Sequence, residues 1–198
     1  MHAILSKDHL GLQPDAVIGY SSGESNSLFA SGLWTDMDEM IRDAASSGLF
    51  TEHIGGQMKV VEEAFSEAVS WETWTVLAPH SEVQSLVDAD ERLFLSVIHT
   101  DSDCIVSGSA ESCAHLVKTI GKHRCLRLHY DLAVHVPLLD AVAEPWLALH
   151  RREVSPQRDL RVYSGGPGGA YQPSKESCSR AILEQSNKTL DFRRVIES

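Results

Sequence analysis

The segment Pro14-Asp15-Ala16-Val17-Ile18-Gly19-Tyr20-Ser21-Ser22-Gly23 constrains this chain more than any other. Ala16 to Ile18 read as a short buried strand that Pro14 can only open and Gly19 stops. Helical spacing returns at Ser22 and runs to about Ala30. Strand, G-x-S-x-G and helix in that order are the signature of a nucleophile elbow. The turn is too tight for ordinary side chains at its flanks, so small residues are needed at 19 and 23. It lifts the Ser21 hydroxyl clear of a sheet, at the positive end of the following helix. It also aims the Ser22 N–H at an oxyanion developing in front of that helix. A Gly/Ser turn without chemistry has the same string; the flanking strand and helix are what argue for the elbow.

A serine hydroxyl needs a base. Ten histidines compete. His135 follows a predicted strand (128–134) and directly precedes Val136-Pro137 and a helix. That puts it at a strand end, where catalytic groups collect in α/β folds. Asp101, Asp103 and Asp131 lie between Ser21 and His135, the chain order that an esterase-type triad requires. A metal site has no positive support. There is no H-E-x-x-H, and the cysteines at 104, 113, 125 and 178 match no zinc spacing. With no export signal at the N-terminus, these thiols are expected to be reduced, in a cytoplasmic protein.

Lys+Arg 17 against Asp+Glu 28 gives a net charge of −11. That surplus argues against nucleic acid and anionic membranes as partners, since both need clustered cations. No apolar run approaches the roughly 18 residues of a membrane span. The 198 residues suit one domain, or one domain with a small insert.

A helix capped by Thr35 or Asp36 is predicted to about Ala45, and a strand over Met58–Val61. A helix over Ser81–Val87, a hairpin of Leu93–Ile98 and Cys104–Val106, a helix over Ser109–Ile120 and a strand over Cys125–Leu128 follow. This β-α-β-β-α-β order predicts a ferredoxin-like unit over residues 57–128. Pro137–His150 has the apolar spacing of an amphipathic helix. Leu160–Ser164 reads as a strand, and Cys178–Gln185 and Asp191–Ile196 as helices. The chain opens without a first core strand and stops inside a helical pattern. It therefore reads as the middle of a larger domain, truncated at both ends, with residues 1–56 and 129–198 forming the core around the insert.

Ile18-Gly19-Tyr20-Ser21-Ser22-Gly23-Glu24 resembles the G-H-S-x-G-E segment of malonyl-CoA:acyl-carrier-protein transacylases. It is also similar to the acyltransferase domains of polyketide and polyunsaturated-fatty-acid synthases. Four further matches follow in the right order. Gly55-Gly56-Gln57-Met58-Lys59-Val60-Val61 resembles G-x-M-x-A-V, and Cys104-Ile105-Val106-Ser107-Gly108 resembles V-V-I-S-G. Leu132-Ala133-Val134-His135-Val136-Pro137-Leu138-Leu139 resembles the x-x-S-H-S-P-L-M around the family's histidine. Leu183-Glu184-Gln185 through Asp191-Phe192 resembles the start of the family's near-C-terminal helix.

The resemblance implies an α/β fold: an α/β-hydrolase-like acyltransferase core with an inserted ferredoxin-like subdomain. It implies that Ser21 takes an acyl group from acyl-CoA and passes it to the phosphopantetheine thiol of an acyl carrier protein, beside neighbouring synthase domains. Ser21 would be the nucleophile, His135 the base and the Ser22 amide an oxyanion donor. A backbone carbonyl near Ser164-Gly165 would orient the histidine. No bound cofactor and no metal are implied. The family's early Gln, a second oxyanion donor, would lie upstream of Met1, and Tyr20 stands where His is usual. Malonyl-selective members carry an Arg about 25 residues after the serine; ungapped counting reaches Ser46 here, with Arg42 one turn earlier. The acyl group is therefore expected to be malonyl or an uncharged one. Two alternatives stay open: a serine esterase or thioesterase with the same elbow, and an inactive scaffold domain of a synthase.

Overall fold

The computed structural model describes residue 3 and residues 5–155 and 160–198. After a π-type turn at Leu5–His9 come β1 (Ala16–Ile18), α1 (Gly23–Ser31), α2 (Met37–Ser46), a second π-type turn at Leu49–His53 and α3 (Lys59–Phe65). Next are β2 (Trp71–Val76), α4 (His80–Val87), β3 (Leu93–Thr100), β4 (Asp103–Ser109), α5 (Ala110–Ile120) and β5 (Cys125–Leu128). The chain then runs through α6 (Ala143–His150), β6 (Arg161–Ser164), β7 (Gly169–Tyr171), α7 (Lys175–Ser186), β8 (Leu190–Asp191) and α8 (Phe192–Glu197).

Two sheets organise these elements into a mixed α/β architecture. The first has the order β1-β6-β7, with β1 parallel to β6 and Val17 opposite Val162. β1 forms as expected but is not the buried strand predicted: Ile18 is 45% exposed. It pairs along one edge only among the described residues.

The second sheet has the order β5-β2-β4-β3-β8. Its first four strands are each antiparallel to their neighbours and follow the ferredoxin-like β-α-β-β-α-β path. One face carries Val76, Leu95, Cys104 and Val106 against Val83, Leu116 and Ile120 of the two helices. Strand alternation then turns Thr73, Ile105 and Ser107 to the opposite face. β8 adds a parallel fifth strand from far along the chain, pairing Leu190 with Val97.

Three predicted elements differ. Met58–Val61 is not a strand; Met58 is left-handed and Lys59–Phe65 is helical. Glu62, Glu63 and Ala64 favour helix, and Val60 and Val61 bury in the hydrophobic cluster that holds Trp34, Leu139 and Trp146 instead of in a sheet. The ferredoxin-like path therefore opens at Trp71. Residues 129–134 form no strand either. They run irregularly, held by Ala133 N–H donating to the Ile54 carbonyl at 2.7 Å. The predicted helix over 137–150 is broken into a 3-10 turn, Pro137–Val142, and α6. Pro145 is the cause: its ring would strike the Ala141 carbonyl in one continuous helix.

Candidate active site

The turn from β1 to α1 carries Ser21 in the left-handed region, with φ 54. A non-glycine residue there is strained by roughly 1–2 kcal/mol. Three hydrogen bonds hold it: Gly23 N–H to Tyr20 O (2.8 Å), Glu24 N–H to Ser21 O (3.0 Å) and Gln185 Nε2 to Ser21 O (3.0 Å). A Cβ at Gly19 would lie 2.2 Å from the Glu24 nitrogen, so only glycine fits. At Gly23 the same test meets open space. The Ser22 N–H, at the head of α1, donates to no protein acceptor among the described residues. It is free for an anion at the positive end of the helix.

Ser21 Oγ–H donates to His135 Nε2 at 2.8 Å across 114 residues of sequence. His135 is 4% exposed and also has positive φ, 60. Its Nδ1–H donates to the Gln185 carbonyl at 2.6 Å, which leaves Nε2 as the acceptor. Its own backbone N–H donates to Ser186 O, again at 2.6 Å. Both carbonyls belong to the last turn of α7, where helix carbonyls lack internal partners. Burial lowers the His135 pKa to about 4, so the ring is neutral at pH 7. The negative end of α7 favours the imidazolium that proton capture would form.

Ser164 and Gly165 do not orient the histidine. Ser164 Oγ–H donates to Glu24 Oε2 (2.8 Å), and Gly165 N–H donates to Glu24 Oε1 (2.7 Å). Glu24 is buried, and desolvation lifts its pKa to about 7 against those two hydrogen bonds. The pair ties α1, and so the elbow, to the β6–β7 turn. No carboxylate completes a triad among the described residues. Asp101 pairs with Arg193, Asp103 with His99 and Asp131 with Arg127. Gln185 is the residue that sequence reasoning missed. Its side chain grips the Ser21 carbonyl while its main chain grips His135.

Tyr20, in the histidine's usual position, donates its hydroxyl to His99 Nε2 at 2.7 Å and packs edge-on against Phe192. His99 Nδ1 in turn faces Asp103 Oδ1 at 3.3 Å. Burial raises the Tyr20 pKa to about 12, so the hydroxyl stays protonated. This chain links the elbow to the β3–β4 hairpin.

Beside Ser21 and His135 opens a cavity of about 640 Å³. Met37, Met40, Phe50, Ile54 and Trp146 form much of its apolar wall, and Thr73, Ser96 and Ser107 of the second sheet line it as well. Ser96 Oγ and Gln185 Oε1 are buried without a protein partner. Among the described residues, no cluster of three or more His, Cys, Asp or Glu could hold a metal, and the four cysteines are free thiols. No helix there is long and apolar enough to cross a membrane.

No family model matches the chain. It is 28% identical over 158 residues to 6-methylsalicylic acid synthase of Aspergillus terreus, covering 78% of this chain and 8% of that protein. It is 21% identical to a polyunsaturated fatty acid synthase component of a Thraustochytrium species, covering 98% of this chain and 10% of the relative. The chain thus spans about a tenth of the curated synthases it matches. Among solved structures, the malonyl CoA-acyl carrier protein transacylase of Burkholderia pseudomallei superposes with a TM-score of 0.72 at 20% identity. That match covers 97% of this chain and 62% of the transacylase. Acyltransferase domains of the salinomycin polyketide synthase superpose similarly, with TM-scores of 0.70 and 0.68. The fold is the acyltransferase fold: an α/β core carrying a ferredoxin-like unit.

Proposed function

We propose that this chain is the acyltransferase part of a fatty-acid or polyketide synthase. It moves an acyl group from acyl-CoA, through an ester on Ser21, to the phosphopantetheine thiol of an acyl carrier protein. The observation that carries the reading is the 2.8 Å hydrogen bond from Ser21 to a neutral, buried His135, made on a strained elbow.

His135 Nε2 takes the proton as Ser21 Oγ attacks the thioester carbonyl. The carbonyl oxygen becomes an oxyanion, with the Ser22 N–H as its donor. Collapse breaks the C–S bond, and the imidazolium returns its proton to the leaving CoA thiolate. The carrier thiol repeats the steps in reverse roles: it gives its proton to His135, attacks the ester, and Ser21 leaves with the proton restored. Serine, histidine and acid-base balance are unchanged over the cycle, so no metal or bound cofactor is needed. Gln185 and the end of α7 do the work of a triad's third member.

In this reading residues 1–70 and 129–198 form the catalytic core, and the ferredoxin-like unit from Trp71 to Leu128, shorter than the 57–128 expected, contributes the sheet face that lines the cavity. The unpartnered Ser96 and Gln185 oxygens suit the amides of a pantetheine arm. Neighbouring synthase domains would supply the carrier protein, and we assign the reaction to the cytoplasm.

The test is intact-protein mass spectrometry after incubation with a panel of acyl-CoAs, with and without a pantetheine thiol. An acyl adduct that Ser21→Ala abolishes, and that the thiol clears well above the rate of hydrolysis, supports transfer. An adduct cleared only by water makes the protein a thioesterase. No adduct with any thioester makes it a scaffold.

A further inference from the structure

We propose that the cavity beside Ser21 receives an uncharged, apolar acyl chain of medium length, laid along the apolar face of α2, in place of a short dicarboxylic group. The inference rests on the acyl-transfer reading and gives it a substrate class.

None of the cavity's lining residues is Lys, Arg, Asp or Glu among the described residues. Its only basic groups are His135 and His150, and burial lowers both to about 4, leaving neutral rings. A carboxylate brought in here would find no cation, and a buried unpaired charge is strongly disfavoured. At the position expected for a carboxylate clamp, Ser46 is exposed and turns its hydroxyl back to the Asp43 carbonyl (3.1 Å). Arg42 is exposed and lies outside the lining.

Met37, Met40, Ile41 and Ala44 all line the cavity, at the spacing of a single helical stripe. The opposite face is anchored: Arg152 bonds both Glu39 and Asp43. Yet α2 has no fully buried side chain: Met40 and Ala44 pack only partly against the core, and Met37 and Ile41 are 45% and 59% exposed. The helix is held by its charged side so that its apolar side borders empty space continuous with Ser21. Flexible methionines adapt such a wall to a chain of varying length.

Size agrees: a cavity of about 640 Å³ is of the scale that encloses a drug-sized ligand, so it has room for several methylenes along α2 as well as for a pantetheine arm beside Ser96 and Gln185.

The test uses Ser21→Ala protein, so that binding is read without turnover, with octanoyl-CoA, malonyl-CoA and free CoA in titration calorimetry. Octanoyl-CoA is expected to bind at least about tenfold tighter than CoA, since several methylenes leave water, and malonyl-CoA no tighter than CoA. Ala44→Trp, which fills the wall, and Ile41→Asn, at an exposed position that folding does not depend on, should each shrink the octanoyl advantage at least about threefold. Equal affinity for octanoyl-CoA and CoA, a preference for malonyl-CoA, or no effect of either substitution overturns the proposal. So does a concentration-dependent dimer that Ile41→Asn abolishes while octanoyl-CoA gains nothing; that face would then belong to a second copy of the chain. Acylation of the unmodified protein separates this idea from the one beneath it. An octanoyl preference in binding with no adduct on Ser21 sinks acyl transfer and keeps the pocket. Faster acylation by malonyl-CoA than by octanoyl-CoA keeps acyl transfer and sinks the pocket.

Discussion

The Nδ1–H of His135 donates to the carbonyl oxygen of Gln185 at 2.6 Å, and the side-chain amide of the same glutamine donates to the carbonyl of Ser21 at 3.0 Å. One residue at the end of α7 therefore sets both the tautomer of His135 and the backbone of Ser21. The two duties separate cleanly, because the first belongs to the main chain. Gln185→Ala should leave His135 oriented and release the Ser21 carbonyl. We expect acylation to slow about tenfold, the worth of one well-placed hydrogen bond, with the pH–rate profile unmoved. A shifted profile, measured by stopped-flow acylation across pH 4–8, would mean that the side chain also holds the imidazole.

The buried base has a pH signature with two readouts. Desolvation lowers the His135 pKa from 6.5 to about 4. In the proposed mechanism the neutral form is the base, so acylation should rise with pH through a midpoint near 4 and be flat across 6.5. The folded protein binds this proton less readily than the unfolded chain does. His135 therefore contributes stability that is complete above 6.5 and is lost as the pH falls toward 4, about 3 kcal/mol in all. His135→Gln should remove that dependence. Urea midpoints of both proteins at pH 7 and pH 4.5 check it: the same difference at both would show the ring is not buried neutral.

The two glycines of G-x-S-x-G are equivalent in the sequence and unequal in the structure. Ala at 19 drives a Cβ to 2.2 Å from the Glu24 nitrogen, a backbone atom that cannot step aside. Gly19→Ala should cost about 3 kcal/mol or more and displace Ser21 as well. Gly23→Ala puts a methyl into open space at the head of α1. It should be neutral or stabilising by roughly 0.4–1 kcal/mol, through the unfolded chain. Thermal melts of the pair decide this, and equal losses would refute the contact.

What the sequence made legible follows from which interactions use side chains. Ser21 was found because its turn demands glycine and flanking strand and helix, all visible in a string. His135 was found from its neighbours, although the segment before it is irregular and not the strand expected. The resemblance points to Ser164-Gly165 as the partner of His135 and the structure has Gln185, because any residue can offer a main-chain carbonyl and none is marked for it. Glu24, legible as a first-turn acid, turns out to be what Ser164 and Gly165 bind. Val60-Val61 looked like a strand because two adjacent apolar residues fit a sheet or a helix face equally, and the glutamates beside them decide. Pro145 was readable as a break in the 137–150 helix, but the apolar period on either side of it masked the interruption.

Glu24 carries a pH dependence of the opposite sign to that of His135. Its pKa is raised by burial from 4.5 to about 7, against the pull of Ser164 and Gly165. Folding therefore favours the protonated acid. The stability this adds is complete below 4.5 and is lost as the pH rises toward 7, a change of about 3 kcal/mol. Glutamine has the same shape and no charge. Its Oε1 can still accept from the Gly165 N–H, and its amide can donate to a rotated Ser164 hydroxyl. Glu24→Gln should match the parent protein at pH 4.5 and exceed it at pH 7.5. Glu24→Ala strands both donors and should be less stable by about 1–3 kcal/mol at low pH, where the charge plays no part. Urea unfolding of the three proteins at both pH values tests the sign. A Gln variant that is destabilised equally at each would mean that the ionised carboxylate is what holds the elbow to the β6–β7 turn.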